Sequence, residues 1–317
     1  MDRKRQKNSS NIATGLVVLV LSLLNGILLG VAKPALADSS RHVVIVTSSD
    51  SSYQQRTASR IQQNIDSTET QALIISSDEL TTSPKHSNTV YVTIGERAIT
   101  KLHDYASEAI VLRINNRNIQ RTNYTSAQSD LITEQPACKH LQLIRALNPR
   151  WTTIGVLSSI NSAEATAELT ICAIKYNLNL QLYAITDESD LLTTLETAVE
   201  NNQVLLAIVD PLIYNSRTVK NILLTSYRHR KPVIGYSDSF VQAGAIAAVY
   251  TSPETAGDDA ANILSDFFAN NWQFNHTVHT PSGFEVSTNA RVAASLDLAL
   301  PDQRTIIRRI QNMEIKP

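Results

Sequence analysis

Residues Gln203–Pro253 read QVLLAIVDPLIYNSRTVKNILLTSYRHRKPVIGYSDSFVQAGAIAAVYTSP. Val204–Val209 is an unbroken apolar run of strand length, and it ends at Asp210-Pro211. An amphipathic helix is expected from about Asn215 to His229. A second short apolar run, Pro232–Gly235, leads into the polar turn Tyr236-Ser237-Asp238-Ser239, and a third, Ala245–Val249, closes the stretch. Apolar runs alternating with helical periodicity predict parallel strands buried on both faces. In open sheets of that kind, ligands sit beyond the carboxyl ends of the strands. Asp210 and Tyr236-Ser237 fall at two such ends.

The same alternation extends in both directions. Upstream lie the strands His42–Thr47, Ala72–Ile75, Thr89–Ile94 and Ala109–Leu112, with helices at Ser51–Ile65 and Glu96–Tyr105. Residues 113–134 lose all periodicity and read as a polar crossing. A second series then follows: helix Gln135–Leu147, strand Thr153–Leu157, helix Ser162–Tyr176, strand Leu180–Ile185 and helix Ser189–Val199. The tail holds a short strand at Phe284–Val286 and two short helices. Two alternating series separated by a polar crossing predict two α/β lobes with parallel sheets.

The chain has 317 residues, 28 Lys+Arg against 29 Asp+Glu, and 43% hydrophobic residues. No basic excess points to nucleic acid. The first residues differ from the rest. MDRKRQKNSS is a positive n-region, residues 15–32 are apolar, and Ala35-Leu36-Ala37 precedes Asp38 as an A-x-A site. Residues 1–37 therefore read as a signal peptide for export to the periplasm. An uncleaved N-terminal anchor is the other reading of the same run. Cys138 and Cys172, both on expected helices, form either a disulfide, which an exported protein keeps, or two small buried hydrophobes.

Three segments resemble the ABC-transporter substrate-binding proteins, a periplasmic-binding-protein-like family. They are EQPACKHLQLIRALNPRWTTIGVL (134–157), DPLIYNSRTVKNILLTSYRHRKPVIGYSDSFVQAGAIAAVYTSPETAG (210–257) and FEVSTNARVAASLDLALPD (284–302). The resemblance implies a type I periplasmic binding protein: two Rossmann-like lobes with a ligand cleft between them. Residues 38–125 would form the first lobe, with part of 244–280 returning to it. Residues 126–243 would form the second, with part of 281–317 packing back. It further implies a monomeric, non-catalytic protein without cofactor or metal. Such a protein captures a small ligand, an amino acid or another small polar or aromatic metabolite, and presents it to an ABC permease. A ligand-sensing component of a signalling or outer-membrane uptake system would use the same closure.

Candidate ligand contacts follow from the strand ends. In the first lobe they are Ser48, Tyr53 and the helix start Gly95-Glu96-Arg97. The family commonly carries a small hydroxyl-rich turn at that start. Glu96 opposes an anion at the helix N-terminus and Arg97 favours one. In the second lobe the candidates are Ser158, Ser159 and Asn161 after strand Thr153–Leu157, then Asp210, Tyr214, Tyr236, Ser237 and Phe240. Each has a structural alternative: helix capping for the hydroxyls and Asp210, packing between lobes for the rings. Gly235-Tyr236-Ser237-Asp238-Ser239 approaches G-x-S-x-G but lacks its second glycine, which leaves a Ser237 hydrolase as the enzymatic alternative. His276 and His279 sit in a polar, unperiodic segment and read as a solvated loop rather than a metal site.

Overall fold

The computed structural model describes residues 40–80, 88–116 and 127–315. The expected signal peptide lies outside the described residues. Two six-stranded sheets organise the remainder. In chain order the first lobe contains β1 (Arg41–Thr47), α1 (Ser52–Ile65), β2 (Thr70–Ser76), β3 (Thr89–Ile94), α2 (Glu96–Tyr105), β4 (Val111–Asn115) and β5 (Gln128–Ile132). The second contains α3 (Ala137–Leu147), β6 (Thr153–Ser158), α4 (Ala163–Lys175), β7 (Asn179–Ala184), α5 (Leu191–Asn201), β8 (Val204–Leu206), α6 (Val219–Arg228), β9 (Val233–Gly235), α7 (Asp238–Ala243) and β10 (Ala247–Tyr250). The chain then returns to the first lobe as α8 (Pro253–Ala269) and β11 (Val278–His279). It ends on the second as β12 (Glu285–Thr288), α9 (Ala290–Ser295) and α10 (Gln303–Ile315).

Strand order is β2-β1-β3-β4-β5-β11 in one sheet and β7-β6-β8-β9-β10-β12 in the other. The two lobes thus repeat one doubly wound topology. Every pairing is parallel except β10 with β12, which is antiparallel. Helices cover both faces of each sheet, as buried parallel strands require. In the first lobe Val43, Ile45, Val90, Val92 and Leu112 pack under α1 and α8, while Val44, Val46 and Tyr91 pack under α2. In the second, Ile154, Val156, Leu206 and Ile208 face α3, α4 and α10, and Leu157, Leu205 and Ala207 face α5 and α6.

Three expectations are corrected. The 113–134 stretch contains the end of β4 and all of β5, so the first lobe runs past residue 125 to Ile132. β5 escapes the apolar pattern because its polarity is satisfied in place. Asp130 receives a two-pronged hydrogen bond from Arg113 on β4 (2.6 and 3.2 Å), its cross-strand partner, and Ser129 Oγ donates to the His276 carbonyl (2.8 Å). β10 belongs to the second sheet, so that lobe extends beyond residue 243 to Tyr250. The helix expected from Asn215 starts at Val219, because residues 210–218 are used in a turn held by Ile213 and Tyr214 N–H groups on the Asp210 carbonyl.

Cys138 and Cys172 form a disulfide between α3 and α4, with Cα atoms 5.2 Å apart. Closing a loop of this length removes about 3–4 kcal/mol of chain entropy from the unfolded state. No described helix is long and apolar enough to cross a membrane.

Candidate functional site

The chain passes between the lobes three times: at Thr133–Pro136, at Thr251-Ser252 and at Thr280–Phe284. Both sheets present their carboxyl ends to the space beside these crossings, which forms a cleft of two basins. One, about 480 Å³, is lined by Tyr53, Arg56 and Ser252 on one side and by Tyr236, Ser237, Asp238 and Glu285 on the other, with Glu134 at the crossing. The second, about 650 Å³, is lined by Gly95, Glu96 and Asn115 opposite Ile160, Asn161 and Pro211. Tyr53, Asn116, Thr133 and Val209 border both.

Of the residues expected from sequence, Tyr53, Gly95, Glu96, Asn161, Tyr236 and Ser237 line this cleft. Gly95 is there by necessity. Its φ is +89°, and a Cβ would stand 2.7 Å from Ser48 Oγ. Tyr53 sits on the first turns of α1, whose N-terminus is capped by Ser51. Burial raises the Tyr53 phenol well above its ordinary range, against a lowering hydrogen bond with Thr133. Burial likewise pushes Tyr236 up to about 12, helped by the charges of Glu134 and Asp210. Both rings therefore stay neutral donors across physiological pH.

The remaining candidates are placed elsewhere. Ser48 Oγ donates to the Ile94 carbonyl and accepts from the Ala98 N–H (both 2.8 Å), so it caps α2. Arg97 pairs with Asp78 at the surface. Ser158 is buried at the end of β6 and lines neither basin. Asp210, only 1% exposed, is consumed inside its own lobe. It accepts from the Ser159 hydroxyl (2.8 Å), the Ser159 N–H (2.9 Å), the Ser162 hydroxyl (2.7 Å) and the Leu212 N–H (3.2 Å). Asp210 and Ser159 thus lock the β6 and β8 ends together, and no ligand ammonium reaches that carboxylate. Tyr214 and Phe240 pack edge-on at 5.7 Å and line a side pocket of about 590 Å³ within the second lobe. Tyr236 belongs both to that ring cluster and to the cleft.

Ser237 Oγ caps α7 by accepting from the Phe240 N–H (3.3 Å) and lies 2.9 Å from Ser239 Oγ. Among the described lining residues of the cleft there is no histidine to activate it. The cleft residues that sequence reasoning missed include Arg56, Asn116, Thr133, Glu134, Gln242, Tyr250, Ser252 and Glu285. A signal for several was present: Gln135-Pro136 and Ser252-Pro253 mark element boundaries, since a residue before proline is kept extended.

The architecture is that of a two-lobed α/β protein with a cleft between the lobes, and the sequence comparison decides the family. The model of the ABC transporter substrate binding protein family matches residues 114–306, more than half of the chain. The chain belongs to that family. No curated protein matches this substrate-binding protein in sequence. Among solved structures, it is similar to an ABC domain in complex with L-Trp from Streptococcus pneumonia. That likeness has TM-score 0.62 and 16% identity, over 86% of this chain and 98% of the other. It is also similar to the ligand-free, open form of a substrate binding protein with adhesive properties from Clostridium difficile, with TM-score 0.67 and 14% identity over 84% and 97%. A conserved domain protein from Vibrio cholerae gives TM-score 0.62 and 15% identity over 85% and 98%. At these identities the likenesses establish the fold that the substrate-binding protein shares with them.

Proposed function

We propose that this chain is a periplasmic solute receptor. It captures a small metabolite between its lobes and presents the closed form to an ABC permease. The observation that carries this reading is the cleft itself, walled by strand ends and helix starts of both lobes and spanned by Tyr53 on one side and Tyr236 on the other. Tyrosine side chains on both walls of one basin suit a ligand with an aromatic or apolar body. The tryptophan held by the streptococcal structure is consistent with that size and shape.

The polar contacts offered to the ligand are hydroxyls, amides and carboxylates. Helices α1, α2, α7 and α8 begin at the cleft, and the last three each carry their own acid in the first turn: Glu96, Asp238 and Glu254. These carboxylates already answer the positive ends of the helix dipoles. Arg56 is likewise held by Glu254, through Nε (2.9 Å) and Nη2 (2.6 Å). An anionic ligand group therefore gains little at those three starts, and we read the part of the ligand that meets them as neutral or amine-bearing.

The test is thermal unfolding against a panel of amino acids, amines, purines, vitamins and sugars, followed by solution scattering with any compound that stabilises. A specific ligand at one hundred times its Kd adds about 2.7 kcal/mol of stability, and closure reduces the radius of gyration. A panel in which no compound shifts the transition overturns the receptor reading.

A further inference from the structure

The three crossings meet at one side chain. Gln135 lies in the first crossing and is 3% exposed. Its Nε2 donates to Thr251 Oγ1 in the second crossing (2.8 Å) and to the Gly283 carbonyl in the third (2.8 Å). The orientation of the amide is settled by chemistry, because a carbonyl only accepts and must face the NH2 group. Both protons of one amide are thus spent on the other two segments that join the lobes.

The surroundings make this a narrow hinge. On the first crossing, Thr133 is tied to the first lobe by its N–H (2.8 Å) and Oγ1 (3.2 Å) on the Asn115 carbonyl, and α3 begins at Ala137. That leaves Glu134, Gln135 and Pro136 between the two anchored elements. The second crossing runs directly into α8, where Ser252 caps the Thr255 N–H (3.2 Å). The third is held to α8 by the Ser282 N–H on Asp259 (3.0 Å). Each crossing also runs into a proline, at Pro136, Pro253 and Pro281. The residues before them, Gln135, Ser252 and Thr280, are restricted to extended backbone. Short, stiff connections convert interlobe motion into small rotations at a few residues.

We propose that Gln135 is the hinge pin of the receptor, a positioning residue that makes the lobes rotate about one point instead of sliding or splaying. Hydrogen bonds close to a rotation axis change little in length as the lobes turn, so the pin survives opening and closing. The crossing residues that line the cleft, Thr133, Glu134 and Ser252, are thereby held in one register for the ligand. Without the pin the unliganded lobes sample a wider range of separations. The binding-competent arrangement then becomes a smaller fraction of the ensemble, and apparent affinity falls by that fraction.

The decisive measurement needs no ligand. The described residues contain no free cysteine, so spin labels can be placed at Lys101→Cys on α2 and Glu200→Cys on α5, both exposed positions in different lobes. Pulsed dipolar spectroscopy then reads the interlobe distance distribution. The parent should give one narrow distribution. Gln135→Leu should broaden it at least twofold, and Thr251→Val, which keeps the Gly283 bond, should broaden it less. Circular dichroism verifies that each labelled variant is folded. If Gln135→Leu does not fold, Thr251→Val decides alone. A distribution as narrow as the parent's in the folded variants overturns the hinge-pin assignment and leaves the receptor reading standing.

Discussion

The ends of β8 and β9 are neighbours in one sheet, and both finish in polar residues beside the cleft, yet they do opposite things. Asp210, after β8, is buried and gathers four donors from its own lobe. Tyr236 and Ser237, after β9, border the cavity, even though Ser237 Oγ also accepts from the Phe240 N–H. A polar residue at a strand end is therefore not yet a ligand contact. What decides is whether its side chain still reaches the cavity surface once the bonds within its own lobe are made.

Substitutions on the two ends should separate these roles. Asp210→Ala strips the acceptor from two hydroxyls, that of Ser162 fully buried, and from two N–H groups, and the loss should be about 3 kcal/mol in urea denaturation. A loss below about 1 kcal/mol would mean that the network does not hold the two ends together. Gly235→Ala attacks the other end from beneath. An added Cβ would stand 2.6 Å from Phe240 Cβ. Because that Cβ is fixed to the backbone, the start of α7 must shift, at a cost of about 1–3 kcal/mol, with a changed near-ultraviolet dichroism from the Tyr214, Tyr236 and Phe240 cluster.

Ser237→Ala removes only a cap, worth about 1 kcal/mol. It should leave the fold intact while weakening any compound found in the thermal screen. If it instead abolishes turnover of a substrate, the hydrolase alternative returns. A further effect lies in alkali. The folded Tyr236 phenol is raised to about 12, above an unfolded value of about 10. Its contribution to stability is thus complete below pH 10 and is lost as pH rises towards 12. Tyr236→Phe should remove that component from the alkaline stability profile, together with one late-ionising phenol in the ultraviolet titration.

Much of the fold was legible because the strands that carry it are unbroken apolar runs, such as Val43–Val46 and Val204–Leu206, separated by helical periodicity. β5 was not legible. Ser129 and Asp130 look like loop residues until Arg113 and the His276 carbonyl, both remote in sequence, supply their partners. β11 is a two-residue strand within a polar segment, and only the pairing of Val278 with Asp130 reveals it. For the site, sequence placed Tyr53, Tyr236 and Ser237 at the cleft edge because strand ends are readable. It could not show that Ser159 spends itself on Asp210, nor that Arg97 turns to Asp78, since both are pairings across space.

The closing strand of each sheet comes late in the chain, β11 at residue 278 for a lobe that starts at residue 41, and β12 at residue 285 for the other. Domains usually fold as units in the order in which they are synthesised. Here neither lobe can complete its sheet until nearly the whole polypeptide is present. The β5 and β10 edges stay open as pairing sites until then. A protein truncated before residue 278 would leave both sheets unfinished.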